Sequence, residues 1–401
     1  MLAPTRDPMT PAERRGGAAL AGVFALRMLG LFLILPVFAV QAREMPSGHD
    51  PALIGLALGA YGLTQALLQI AYGAASDRYG RKPVIVAGLL VFALGSFVAA
   101  FSNDLPGIIV GRALQGAGAI SAAVTALAAD LTREQHLTKV MAMIGSSIGL
   151  VFALSMVAAP LLLGFVGLSG MFALTGVLSL LAIGVVWRVV PAAPAIPRQP
   201  GWAGFRAVLV QPQLQRMNIG VFILHLVQTA MWVLLPAALV ERGGLAVGAH
   251  WQVYLPAVLL SFVFMVPAII AAERKGRMKA VFLAAIVLLG VVQLGFGFFA
   301  GGLYSLFFWL LAFFIAFNIL EATQPSLIAR LAAPHAKGAA LGIYNTTQSL
   351  GLFLGGSLGG TLAALAGAQA VWLAGALLSA VWLGVAATLV VPARRAEAPP
   401  A

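Results

Sequence analysis

The 401-residue chain contains no cysteine. Disulfides, thiolate nucleophiles and cysteine metal sites are all excluded by that one absence. Charge is scarce too: only 9% of residues are charged, with 12 acids against 24 Lys and Arg. No pair of histidines has metal-ligand spacing, and Gly73 to Lys82 lacks the Gly-Lys-Ser/Thr ending of a nucleotide-binding loop. Metal chemistry, covalent catalysis and ATP-driven work therefore have little to act with, and no cofactor is expected.

What the chain has in excess is apolar surface. It is 61% hydrophobic, with a mean hydropathy of +0.99. A water-soluble fold cannot hide that much, so the solvent is lipid. A helix needs ~20 apolar residues to cross ~30 Å of hydrocarbon. Twelve stretches qualify, at roughly 17–42, 52–72, 84–102, 106–129, 139–163, 169–190, 216–240, 251–272, 279–300, 303–329, 338–363 and 369–391. They are too long and too unalternating for barrel strands. The expected fold class is an all-α polytopic membrane protein of twelve transmembrane helices.

The net charge of +12 would suggest nucleic acid in a soluble protein. With twelve crossings and a cytoplasmic N-terminus, 20 of the 24 cations fall in cytoplasmic segments and only Arg43 and Arg242 on the opposite face. This is the positive-inside pattern, so nucleic acid is not expected as a partner. The first apolar run is too long for a secretory signal and reads as an uncleaved anchor. The expectation is a multi-pass inner-membrane protein, working as a monomer with both termini cytoplasmic.

The longest connector is Pro-rich and holds no acid, and six spans lie on each side of it. The expected organisation is an N-terminal bundle at 1–190, a linker at 191–215 and a C-terminal bundle at 216–401. The halves look related. Leu33-Ile34-Leu35-Pro36 in span 1 matches Val233-Leu234-Leu235-Pro236 in span 7, and Asp77-Arg78-Tyr79-Gly80-Arg81 after span 2 matches Glu273-Arg274-Lys275-Gly276-Arg277 after span 8. Paired halves around a midplane site are a recurring design of secondary transporters.

The stretch Gly73-Ala74-Ala75-Ser76-Asp77-Arg78-Tyr79-Gly80-Arg81-Lys82-Pro83 resembles the loop 2–3 signature of the major facilitator superfamily. Arg112-Ala113-Leu114-Gln115-Gly116-Ala117-Gly118 in span 4 resembles the motif of that family's proton-coupled members. Phe24 to Gly30, Tyr61 to Gln65 and Phe317 to Ala322 are similar to the YajR-type drug–proton antiporters. The chain departs from the pattern in span 5, where only Pro160 and Gly164 survive of the antiporter signature, and in ending soon after span 12. The resemblance implies that Arg112 assists proton transfer and that spans 1, 4, 7 and 10 line the cavity.

Only three strongly charged residues remain inside spans: Arg27, Arg112 and Glu321. Each is a functional candidate, because a charge in hydrocarbon is costly; a buried structural pairing is the alternative. Glu321 is the only acid in any span, three residues from Asn318 and from Gln324 on a helical face. A carboxyl group in hydrocarbon costs less protonated than charged, which suits loading and unloading a proton. Arg27 lies mid-span and must meet a carboxylate, carbonyls, water or an anionic substrate. In span 7, His225 and Gln228 share a face with Trp232; His225 is a second proton candidate. Tyr61, Gln65 and Gln69 stripe span 2, and Asn345 and Gln348 share one side of span 11. The glycines of spans 5 and 11 suit close, sliding helix contact.

The charged connector after span 2 reads as a cytoplasmic gate latch. Gly73 permits close approach of a facing helix, which the resemblance implies is span 11. Asp77 would accept from amides at the start of that helix near Gly338, where the helix dipole favours an anion. Arg81 would pair with Asp130, while Arg78, flanking Gly80, and Lys82 face headgroups.

The function expected is proton-coupled export of a small amphipathic compound by alternating access. Facilitated or proton-coupled uptake of a nutrient, anionic if Arg27 binds it, is the alternative. A non-transporting sensor would need a soluble sensing region, and an enzyme would need more than one intramembrane acid.

Overall fold

The protein is described here from a computed structural model covering residues 8–191, 202–333 and 336–390. Among these residues every regular element is helical. The linker expected at 191–215 falls partly outside them.

The first crossing is α1 (Pro11–Phe32) followed by α2 (Leu35–Gln41). Its axis is interrupted at Leu33 and Ile34 because Pro36 has no N–H to return to the preceding turn. Then come α3 (Pro51–Tyr79), α4 (Arg81–Phe101), and the broken pair α5 (Leu105–Ala117) and α6 (Ser121–Asp130). The break lies at Gly118, where a Cβ would stand 2.4 Å from the carbonyl oxygen of Gly88 on α4. Acids are used sparingly here as caps: Asp50 accepts from the Ala52 N–H and Asp104 from the Gly107 N–H.

Next are α7 (Glu134–Arg188), α8 (Trp202–Leu209), α9 (Pro212–Glu241), α10 (Trp251–Arg274), α11 (Met278–Phe298), α12 (Leu303–Leu331) and α13 (Lys337–Ala387). Ten helical stretches among the described residues are long and apolar enough to cross a membrane. Two of these, within α7 and α13, run for 50 residues each. At ~1.5 Å per residue that is about twice a bilayer's thickness. Each turns back at one glycine, Gly167 (φ 64°) and Gly367 (φ 78°), in a conformation that side-chain-bearing residues avoid. Each therefore has the length for two crossings, which agrees with the twelve expected.

An even number of crossings puts both ends on one face, called here the terminal face. Polar contacts mark it. Arg133 donates to the Glu13 carboxylate from both its backbone N–H and its side chain, at 2.9 Å. Arg15 donates to the carbonyl of Arg188, and Lys82 to that of Val190. On the far face, the side chains of Arg43 and Glu241 pair.

One seam decides which face is closed. A Cβ on Gly55 would stand 2.1 Å from the carbonyl oxygen of Gly356, one on Gly59 2.5 Å from that of Phe353, and one on Gly62 2.4 Å from that of Ser349. On its other side α13 lies equally close to α9, with Gly351 against Phe222 and Gly355 against Leu226. All of this is toward the far face. Toward the terminal face the start of α13 stands apart: nothing lies within 4 Å of a Cβ placed on Gly338 or Gly342. Backbone-to-backbone contact therefore lies toward the far face, and the glycines at the start of α13 make none.

This corrects two expectations about glycine. Gly73 was expected at a close approach to span 11, yet its nearest neighbour is Ala122 of α6, at an ordinary 3.5 Å. The close approaches of α3 to α13 lie farther along, at Gly55, Gly59 and Gly62. Gly145 and Gly149 of span 5 likewise have nothing within 4 Å and are not packing glycines here.

Candidate functional site

Two arginines stand in the membrane interior with no carboxylate partner among the described residues, so other groups must offset the cost of burying them. Arg27, on α1, is 1% exposed. One guanidinium nitrogen donates to the Ser121 hydroxyl on α6 at 3.2 Å, another to the Tyr61 hydroxyl at 2.6 Å and to Gln65 Oε1 at 3.5 Å, both on α3. Its charge also lies 5.8 Å from the Tyr61 ring centroid and 5.7 Å from that of Phe92, a cation–π arrangement. The cavity exposure expected of Arg27, Tyr61 and Gln65 is therefore not present in this conformation; they form one buried polar knot.

Arg112, on α5, is 2% exposed. It donates to the carbonyls of Ala57 and Leu58 on α3, each at 3.3 Å, and to Gln115 Oε1 at 3.0 Å. Gln115 in turn donates to Ser96 at 2.8 Å. The Arg112 charge sits 5.2 Å from the same Tyr61 ring, so one phenol lies against two cations. Snorkelling to an interface is not what this side chain does.

The acid is on the other side of the chain. Glu321 of α12 keeps 38% of its side chain exposed, and its Oε2 lies 3.7 Å from His225 Nε2 on α9. That separation is too long for a hydrogen bond, and this oxygen has no hydrogen-bonding partner. His225 is buried, its Nδ1 3.0 Å from the Val221 carbonyl and its Nε2 2.6 Å from the Gln348 amide nitrogen on α13. The Phe317 ring packs edge-on against the imidazole at 5.8 Å. Glu321, His225 and Gln348 thus join three helices in one cluster.

Other expected residues are placed differently. Asn318 turns to α10, donating to the Ser261 hydroxyl at 2.8 Å. Trp232 is buried against Tyr254, ring centroids 5.6 Å apart, on the closed side of the molecule. Gln228 is buried, and Asn345 is half-buried, its backbone carbonyl accepting from the Ser349 hydroxyl. In the charged connector, Arg81 stands between two acids, 2.7 Å from Asp77 and 3.0 Å from Asp130. Gly80 has φ 94°, and Arg78 lies over the neighbouring Tyr79 ring at 5.4 Å.

Sequence reasoning missed Tyr344 of α13, whose buried hydroxyl has no partner and which lies within the field of Glu321. Its position one turn before Gln348 was the available signal. It also missed the Gly55, Gly59 and Gly62 stripe, legible as small residues at helical spacing. A cavity of about 660 Å³ opens along α1 and α7 near the terminal face, between Ala18, Ala21 and Gly22 on one helix and Lys139, Met143 and Ser147 on the other.

Residues 20–271 and, overlapping them, 217–401 match the family described as the Major Facilitator Superfamily. The chain belongs to the major facilitator superfamily. It is 45% identical to the inner membrane transport protein YajR of Escherichia coli K12, over 96% of this chain and 85% of that protein. It is 26% identical to the multidrug resistance protein MdtH of Aeromonas hydrophila, over 87% of this chain and 86% of that protein. Among solved structures, a bacterial homologue of the human lysosomal transporter Spinster, in an inward-facing and occupied conformation, superposes with a TM-score of 0.74. That superposition covers 97% of this chain and all of that one at 12% identity, and shows the fold alone. The protein is a multi-pass inner-membrane transporter of this superfamily and not an enzyme.

Proposed function

We propose that the chain exports an amphipathic compound with a cationic centre in exchange for protons. The observation that carries the proposal is the Glu321 carboxylate, 38% exposed, with its Oε2 buried, 3.7 Å from His225 and without a hydrogen bond among the described residues, in the interior of the C-terminal half. A carboxylate there is stable only with a proton or another cation beside it. Proton and cationic substrate therefore compete for one group, which is the thermodynamic requirement for exchange. An anionic nutrient finds less: the terminal guanidinium nitrogens of Arg27 and most donors of Arg112 already face hydroxyls, carbonyls, amides and ring faces. The multidrug name of MdtH and the transport name of YajR agree with this reading.

In this scheme residues 1–190 and 216–401 rock about the site, joined by 191–215, and the terminal face is cytoplasmic. The conformation described opens toward the cytoplasm. Asp77, Arg81 and Asp130 latch that face when it closes, and Arg112 keeps its neighbourhood positive so that protons leave.

The test is transport in proteoliposomes under an imposed pH gradient, using fluorescent lipophilic cations as probes. Glu321→Gln is expected to lower gradient-driven transport at least tenfold while inserting normally. Undiminished gradient-driven transport in that variant would remove Glu321 as the coupling site.

A further inference from the structure

His225 offers a proton two places, and its surroundings select one. Nδ1 faces the Val221 carbonyl at 3.0 Å. A carbonyl only accepts, so Nδ1 carries its hydrogen whether the ring is neutral or charged. Protonation therefore happens at Nε2, the atom that meets the Gln348 amide nitrogen at 2.6 Å. With the NH2 group donating to Nε2, the imidazole is neutral. Once Nε2 gains a proton, two donors face each other at that distance. The Gln348 amide must then turn its oxygen to the ring or withdraw. If it withdraws, the Nε2–H can close the 3.7 Å gap to Glu321 Oε2.

We propose that Gln348 is the positioning residue that senses the protonation state of the His225–Glu321 pair and transmits it, as a shift of α13, to the seam that shuts the far face. The inference rests on the proton-exchange reading above and adds a route to it. Gln348 sits one residue from Ser349, whose carbonyl lies against Gly62 of α3, and three from Gly351, which lies against Phe222 of α9. At this level α13 is clamped backbone-to-backbone between α3 and α9. A small-residue seam of this kind gains its stability from close contact, and a small shift in one helix forfeits it. The neutral ring holds Gln348, and with it α13, against α9; the charged ring releases the grip. The step is a proton transfer: an N–H bond forms at Nε2, and the Gln348 hydrogen bond to Nε2 is lost. The proton comes from hydronium on the aqueous side or from the Glu321 carboxyl, whose O–H bond breaks to leave a carboxylate.

Charged and titratable groups around His225 are few. From α12 the group facing it is Glu321; on α13 Tyr344 lies within the field of Glu321, and α2 has no ionisable side chain. Asp77 and Arg78 of α3, Arg330 of α12 and Arg206 of α8 lie at the terminal face. A pH response of the seam therefore originates at the His225–Glu321 pair.

The chain has no native cysteine, so spin labels can be placed on the far face alone, at His49→Cys and Arg242→Cys, both exposed. The distance distribution between them is measured by double electron–electron resonance on the full chain in lipid nanodiscs, labelled first and then equilibrated at pH 8 and pH 5.5. With Gln348 present, the short-distance population is expected to fall at least threefold at the lower pH. With Gln348→Met, similar in size but unable to hydrogen-bond, the distribution is expected to be the same at both pH values. His225→Gln is expected to give the same flat response, and the double variant no further change. Gln348→Asn, which keeps the amide, is expected to restore part of the shift. Persistence of the full pH shift in Gln348→Met, while Glu321→Gln abolishes it, overturns the role of Gln348 and leaves the proton site standing. Absence of any pH shift in the unmutated transporter overturns the proton-exchange reading as well. Monodisperse elution of each variant confirms that folding is not what changed.

Discussion

Gly55 of α3 and Gly356 of α13 meet backbone to backbone: a Cβ on Gly55 would stand 2.1 Å from the Gly356 carbonyl oxygen, and one on Gly356 2.4 Å from that of Gly55. Carbonyl oxygens on helices cannot step aside, so neither position has room for a methyl group. Gly55→Ala is expected to force the two helices apart on the far face. Overpacking of this kind costs ~1–3 kcal/mol, and the cost falls only on the conformation in which the seam is shut. Transport should drop while the protein still inserts, and far-face cysteine probes should label faster. Unchanged labelling and transport would mean that the seam is not part of the cycle.

Arg43 and Glu241 pair across the far face, but both are largely exposed. Such pairs contribute ~0–1 kcal/mol and weaken in salt. Arg43→Gln is expected to leave the unfolding midpoint almost unchanged. It should still shift the balance between the two conformations, because 1 kcal/mol is roughly a fivefold change in a two-state equilibrium. The check is the far-face label distance at low and at high ionic strength. The variant's effect should fade as salt rises.

Arg27 makes its bonds from a rigid fork, to Ser121, Tyr61 and Gln65, between two ring faces. A lysine presents one compact charge and cannot reproduce that set. Arg27→Lys is thus expected to destabilise the protein by about 1–3 kcal/mol through polar groups left unpaired. Thermal unfolding in detergent measures this. A transported cation, which the present reading seats at Glu321, should stabilise the variant and the parent equally. Loss of that ligand stabilisation in Arg27→Lys alone would place Arg27 in the binding site after all.

How much of this was legible beforehand divides along a physical line. The all-helical membrane fold was readable because lipid demands ~20 apolar residues for each crossing, whatever the neighbours do. The turnbacks fell where the apolar runs paused, around Gly167 and Gly367. Glu321, Arg27 and Arg112 stood out because charge in a span is rare. Their partners were not readable. Nothing in the spacing of Arg27 announces Ser121, 94 residues away, and nothing in span 11 announces that Gln348 reaches His225. Those pairings come from helix packing, which one chain's periodicity does not encode. Gly73 shows the same limit in reverse. Its sequence context signals a close approach, but which helix comes near depends on the conformation adopted.

Asp77 and Asp130 share Arg81, and their surroundings separate their roles. Asp130 is 12% exposed and Arg81 8%, whereas Asp77 is 49% exposed. Removing the Asp130 carboxylate leaves a nearly buried guanidinium with its contacts to Asp77 and Ser76. Asp130→Asn is therefore expected to lower stability by about 1–3 kcal/mol. Asp77 is half exposed, and an ion pair at such a solvent-facing carboxylate contributes only ~0–1 kcal/mol. On folding alone, Asp77→Asn should be nearly silent. If the carboxylate also holds the terminal face shut against the start of α13, the same variant must lose transport, because the missing contact belongs to the opposite conformation. Thermal midpoint and transport rate, measured together, separate the two. A large loss of transport with an unchanged midpoint supports the latch. Normal transport sinks it, and losses in proportion to stability would reduce Asp77 to a structural neighbour of Arg81.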